Sequence, residues 1–144
     1  MRSKNLLALA ALGSVLLTVS PKVSAQDVTE LEWRPWDEWD RVTKSYVPID
    51  GAVERRSEVR MAKATLSPSL PPFLFVHRTS SYFCGSGGCS LDVLMLTESG
   101  EYQLIISWLA DDVKLRTDTT VNGWVPIVLG GNTWIYESGE YVLP

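Results

Sequence analysis

Tyr82-Phe83-Cys84-Gly85-Ser86-Gly87-Gly88-Cys89-Ser90 is the stretch whose reading decides the fold. It holds both cysteines of the chain, with four small residues between them and an apolar run on each side, Phe73 to Val76 before and Leu91 to Leu96 after. The pattern predicts a hairpin with a stapled tip. Gly85, Gly87 and Gly88 admit the positive φ that a tight reversal needs, and Ser86 is a habitual turn residue. Neighbouring strands bring two Cα atoms within the roughly 7 Å a disulfide requires. In the chain-entropy account so small a loop stabilises by only about 2 kcal/mol, so the staple fixes local register more than global stability. Other chemistries fit the stretch less well. A thioredoxin-type redox motif has two residues between its cysteines and a helix after them. A phosphate cradle has Gly-Lys-Ser/Thr after its glycines, where this chain has Cys89-Ser90-Leu91. A metal site takes more ligands than two thiols and His77 supply.

Working outward, the chain opens Met1-Arg2-Ser3-Lys4, runs apolar from Leu6 to Val19 and reaches Val23-Ser24-Ala25. A basic start, a short hydrophobic stretch and a small-residue site predict a secretory signal peptide over residues 1–25, cleaved after Ala25. The apolar run is shorter than the roughly 20 residues a spanning helix needs, so no stable membrane insertion is expected after cleavage. The 119 residues from Gln26 onward are enough for one domain with one modest core. Losing Arg2, Lys4 and Lys22 moves the formal charge from −4 to −7. That acidity argues against nucleic acid or an anionic membrane surface as partner and leaves a basic exported protein, or a cationic segment of one, beside the plain reading that the charge serves solubility alone. The expected location is the periplasm or the medium, where an even pair of cysteines can oxidise.

Residues 26–72 form a tryptophan-rich segment read as carrying short helices. Pro35 suits a first helical position, Asp37 and Glu38 its first turn, and Asp37/Arg41 and Asp40/Lys44 stand at i, i+4. A helix of about two turns here puts Trp36 and Trp39 on one face with Trp33 just outside it. That stripe is either core against a sheet or an exposed patch that grips a partner, since tryptophan is enriched at binding hot spots. From Ala52 to Leu66 the abundance of Ala, Glu, Arg, Met and Lys favours a second helix over an edge strand. Its Arg55, Arg56, Arg60 and Lys63 read as a solvated basic face.

Residues 73–144 read as β throughout. Candidate strands end at turn signals: Glu98-Ser99-Gly100-Glu101, Asn122-Gly123, Gly130-Gly131-Asn132, and a second Glu-Ser-Gly-Glu-Tyr at 137–141 that repeats 98–102 letter for letter. The repeat reads as two hairpin turns rather than a duplicated unit. The expected fold class is therefore α+β and mainly β: an antiparallel meander with one or two short N-terminal helices and one disulfide-stapled hairpin, in a single domain.

Candidate chemistry is sparse. His77 is the only histidine, and Ser80, Ser81, Ser86 or Ser90 could be drawn beside it, but no nucleophile-elbow signature supports the choice. Asp111-Asp112 and Asp118 lack the spacing of a calcium loop. No catalytic, metal or cofactor residue is assigned, and no cofactor is expected. The stapled tip through Val93, with Asn122-Gly123-Trp124-Val125-Pro126-Ile127-Val128 and Trp134-Ile135-Tyr136, resembles a group of small uncharacterised exported bacterial proteins with a Cys-Gly-Ser/Thr-Gly-Gly-Cys hairpin. The likeness covers about residues 73–143 and implies fold and compartment without an activity. Some of that group carry an Asp/Gly-rich loop before the hairpin; Pro71-Pro72-Phe73 stands here instead, so a calcium role has no residues to rest on. The reading that draws on distinctive residues is a non-enzymatic binding or inhibitory module for another protein, contacting it through Trp33, Trp36 and Trp39 or through Ser86 on the Cys84–Cys89 tip. The alternatives are a structural envelope protein and a hydrolase using His77.

Overall fold

The computed structural model describes residues 28–144; the signal-peptide reading of residues 1–25 lies outside the described residues. Strands β1 (Val28–Glu30), β2 (Arg34–Pro35), β3 (Val59–Ala64), β4 (Phe73–Arg78), β5 (Cys84–Gly85), β6 (Gly88–Leu96), β7 (Tyr102–Ala110), β8 (Val113–Arg116), β9 (Ile127–Leu129), β10 (Asn132–Glu137) and β11 (Glu140–Val142) make two sheets. One runs β1-β8-β9-β10-β11; the other runs β2-β3-β4-β6, with β5 and β7 also on β6. Every pairing is antiparallel, so the mainly β meander is present.

The sheets face each other across one core. Phe73, Phe75, Leu91, Val93, Ile106 and Ala110 come from one side, and Val113, Leu115, Ile127, Leu129 and Tyr141 from the other. Val113-Lys114-Leu115-Arg116 alternates buried and partly exposed because the back of its sheet is not covered. Phe73-Leu74-Phe75-Val76 is buried at every position. Its odd members enter the shared core, while Leu74 and Val76 enter a second core on the back of the sheet with Val59, Met61, Trp39 and Val47. The tryptophan-rich segment is therefore the cover of that back face.

Two helix expectations change. The two-turn helix divides into a 3-10 turn, Trp36–Glu38, and a short helix α1, Arg41–Ser45, because Asp40 is extended between them. The Asp40 carboxylate accepts from the Thr43 amide at 2.8 Å and its hydroxyl at 2.7 Å, an N-cap that competes with running the helix through. Asp37 meets Arg56 at 3.5 Å instead of Arg41. The second helix is replaced by a 3-10 turn, Arg56–Glu58, leading into β3. Alternate burial of Val59 and Met61 on one face and Ala62 on the other outweighs the helical propensity of these residues. The strand also scatters the basic cluster: Arg60 faces the same side as Ala62, and Lys63 the other, over the Trp39 ring at 5.3 Å.

The stapled hairpin forms, with Cys84 and Cys89 directly paired and Cα atoms 3.9 Å apart. The approach to it is longer than the sequence suggests. After β4 the chain makes a 3-10 turn at Ser81–Phe83, then rejoins the edge of β6 that β4 had followed.

Candidate binding surface

The longest uncharged strand among the described residues lies at the margin of its sheet. β7 reads Tyr-Gln-Leu-Ile-Ile-Ser-Trp-Leu-Ala and pairs with β6 along one edge. No strand pairs with its other edge among the described residues. An open edge presents unpaired backbone N–H and C=O groups, and proteins usually guard it with Lys, Pro or cover. This one carries no Lys or Pro, and its guard is a bulge. Ile105 is an extra residue without a cross-strand partner, because Val93 faces Ile106 and Leu94 faces Leu104. Leu104, Trp108 and Leu109 are 53%, 40% and 44% exposed, although each is large and apolar.

The stapled tip meets this strand. Gly88 packs against the backbone of Ala110 and Asp111, and Gly87 lies beside Leu109. Gly87, Trp108, Leu109, Gly130 and Asn132 line an open concavity of about 400 Å³. Trp108 is steadied from below by the Trp134 ring, edge-on at 5.1 Å. Ser86 and Tyr82 are exposed at the tip, and Tyr82 stands edge-on to Phe83 at 5.0 Å. The arrangement offers apolar contact, backbone hydrogen bonds and a rigid rim. The Cys84–Cys89 bond indicates an oxidising, non-cytoplasmic location. No described helix is long and apolar enough to cross a membrane.

The tryptophans singled out from sequence sit elsewhere. Trp39 is buried in the second core with Arg34 and Lys63 over its ring at 4.2 and 5.3 Å. Trp36 is half-buried, donates its indole N–H to the Val47 carbonyl at 2.8 Å and has Lys44 and Arg56 over its ring. Trp33 is half-buried against the other core, 5.7 Å from the His77 ring. Their rings are thus occupied by packing, and none of the three lines the concavity beside the tip. Leu104, Trp108 and Leu109 were missed, since nothing local shows that β7 ends its sheet.

Comparison with protein-family models, curated proteins and solved structures finds no match to this chain. Its own geometry is what bears on function.

His77 borders a second cleft of about 420 Å³ that reaches the same β7–β8 corner through Cys89, Asp111 and Asp112, with Trp33 and Arg60 around it. Its Nε2–H donates to the Ala110 carbonyl at 2.9 Å; a carbonyl only accepts, so Nε2 carries the proton. The register puts Ser90 on the face opposite His77, because Ser90 pairs with Arg78 and Leu91 with His77. No group of three or more His, Cys, Asp or Glu side chains among the described residues could hold a metal. Burial holds the His77 proton affinity below its ordinary value and Arg60 adds to this, against the opposing pull of the Ala110 carbonyl and Asp111. The unfolded chain therefore binds this proton more readily, and the neutral ring's contribution to stability declines as pH falls below about 6.5. In urea titrations at pH 7.5 and 5.5, His77→Gln should flatten that decline; an unchanged slope would assign it to other groups.

Proposed function

We propose that this chain is a non-enzymatic binding or inhibitory module that holds another exported protein through the stapled tip and β7. The observation that carries the reading is the gathering of Leu104, Trp108 and Leu109, exposed and uncharged, on one open strand edge beside a disulfide-held loop. Exposed apolar residues scattered singly are ordinary, whereas several along one open strand, with Trp108 and Leu109 lining a concavity, mark an interaction site. A loop already fixed by a disulfide loses less conformational freedom on binding. The burial of Trp39 and the covered ring of Trp36 move the proposed contact away from the tryptophans named from sequence, while Ser86 stays within it. Export through residues 1–25 to the periplasm or the medium belongs to the same reading and agrees with the disulfide.

A photo-crosslinking amino acid placed in turn at Leu109, Ser86 and Val42 tests it in the source cell. Val42 is an exposed apolar residue on α1, away from the tip. One discrete protein product from Leu109 and Ser86, absent from Val42, is the expected result. Products identical at all three positions, or none at any, would remove the binding reading and leave the structural one.

A further inference from the structure

We propose that β7 binds its partner by strand addition, and that the added segment is an uncharged, alternating stretch of about nine residues with a cationic residue at each end. This rests on the binding reading above and names what occupies the surface. The nine residues of β7 bear no charge, so a charged side chain lying across them would lose water without gaining a counter-charge. The ends differ. Glu98 and Glu101 precede the strand and Asp111 and Asp112 follow it, all exposed. Lys114 meets Asp112 at 3.6 Å, whereas Glu98, Glu101 and Asp111 have no ion pair among the described residues. At about 3.3 Å per residue, Glu101 and Asp111 stand roughly 30 Å apart, the span of an extended segment of about ten residues.

A second copy of this chain is the obvious occupant of an open edge, and the charges argue against it. Antiparallel pairing about Ile106 sets Glu101 of one strand against Asp111 of the other, and parallel pairing sets each acid against its own kind. Like charges directly opposite destabilise a strand pair. A cationic-ended segment reverses that sign at both ends, while its alternating side chains meet Leu104 and Leu109 on one face and Trp108 on the other. Backbone bonds to β7 supply a grip that does not depend on the partner's sequence, and the two ends supply the discrimination.

The test uses the disulfide-bonded protein and three fluorescein-labelled peptides that share a nine-residue alternating Val/Thr core, flanked on both sides by Lys pairs, Ser pairs or Glu pairs. In anisotropy titrations at low salt, the Lys-flanked peptide should bind about tenfold tighter than the Ser-flanked one, with the gap closing as salt rises. Binding should slow hydrogen exchange at β7 amides that exchange freely in the unbound protein. Glu101→Lys with Asp111→Lys should reverse the peptide order. Leu104→Lys with Leu109→Lys should abolish binding at an unchanged urea midpoint, since both side chains are solvent-exposed. Equal affinity of all three peptides, with β7 protected, overturns the cationic occupant and leaves the edge as the site. Absence of β7 protection while crosslinking at Leu109 persists overturns strand addition and leaves the binding reading standing. A dimer that buries β7 in the unliganded protein overturns the choice of occupant.

Discussion

Arg78→Met is expected to lower the unfolding free energy by about 3–5 kcal/mol, the cost of stranding a buried charge. Arg78 ends β4 on the back of its sheet, and its guanidinium pairs with Glu54, whose side chain is 1% exposed. It also donates to the Pro48 carbonyl at 3.4 Å and lies over the Phe83 ring at 5.5 Å, so it joins the loop before β3 to the turn before the stapled tip. Glu54 has few other partners: one oxygen also accepts from the Asp50 amide at 3.3 Å, and the other has none. Removing the arginine leaves that carboxylate buried with little to hold it. Methionine keeps much of the apolar stem, so the loss would report charge rather than volume. The second half of the cycle is the sharper test. Glu54→Leu combined with Arg78→Met removes both charges, and such double replacements are often neutral or stabilising. Urea unfolding of the two single variants and the double should therefore show a double variant more stable than Arg78→Met alone. A single-variant loss below about 1 kcal/mol would mean the pair is solvated and worth no more than a surface bridge.

What sequence could and could not say follows from where each decision is made. The stapled tip and the Asn122-Gly123 turn were legible because their chemistry is local: Asn122 and Gly123 take φ of 54° and 82° and close a Val121–Trp124 bridge. β3 was not legible, since helix-forming residues adopt a strand only because Trp39, Leu74 and Val76 wait on one side and Phe75 on the other. The duplicated pentapeptide marks the limit of local reading. At 137–141 Ser138 and Gly139 both take positive φ and join paired Glu137 and Glu140 in a two-residue turn. At 98–102 only Gly100 is positive, and the loop widens because Thr97 caps it, its amide and hydroxyl each donating to the Glu101 carbonyl at 2.8 Å. The same five residues make two turns, and the residue before them decides which. The candidate surface was hidden for a related reason. Tyr102 to Ala110 reads as a strand in any context, but whether it is central or marginal depends on pairings made by residues far from it.

Gly88→Ala is expected to cost about 3 kcal/mol, while the same change one residue earlier, Gly87→Ala, should stay within about 0.5 kcal/mol of the parent. Gly88 begins β6 at φ 107°, where a side chain is strained. A methyl group there would also lie 2.6 Å from the Ala110 carbonyl carbon and 2.7 Å from the Asp111 nitrogen, both backbone atoms at the corner between the sheets. Neither neighbour can rotate away. At Gly87 the nearest atoms are on the Leu109 side chain at 3.6 and 3.7 Å, an ordinary contact, and the backbone is not in the strained region. The hairpin is crosslinked whichever residue is changed, so a difference between the two variants measures how tightly the tip is seated on the β7–β8 corner. The binding surface depends on that seating, because the same contact sets Gly87 beside Leu109. Chemical unfolding with the disulfide intact should thus separate the variants, and Gly88→Ala should also weaken the Lys-flanked peptide more than Gly87→Ala does. Equal stabilities would mean that the tip stands free of the corner and that the concavity between them is not a built surface.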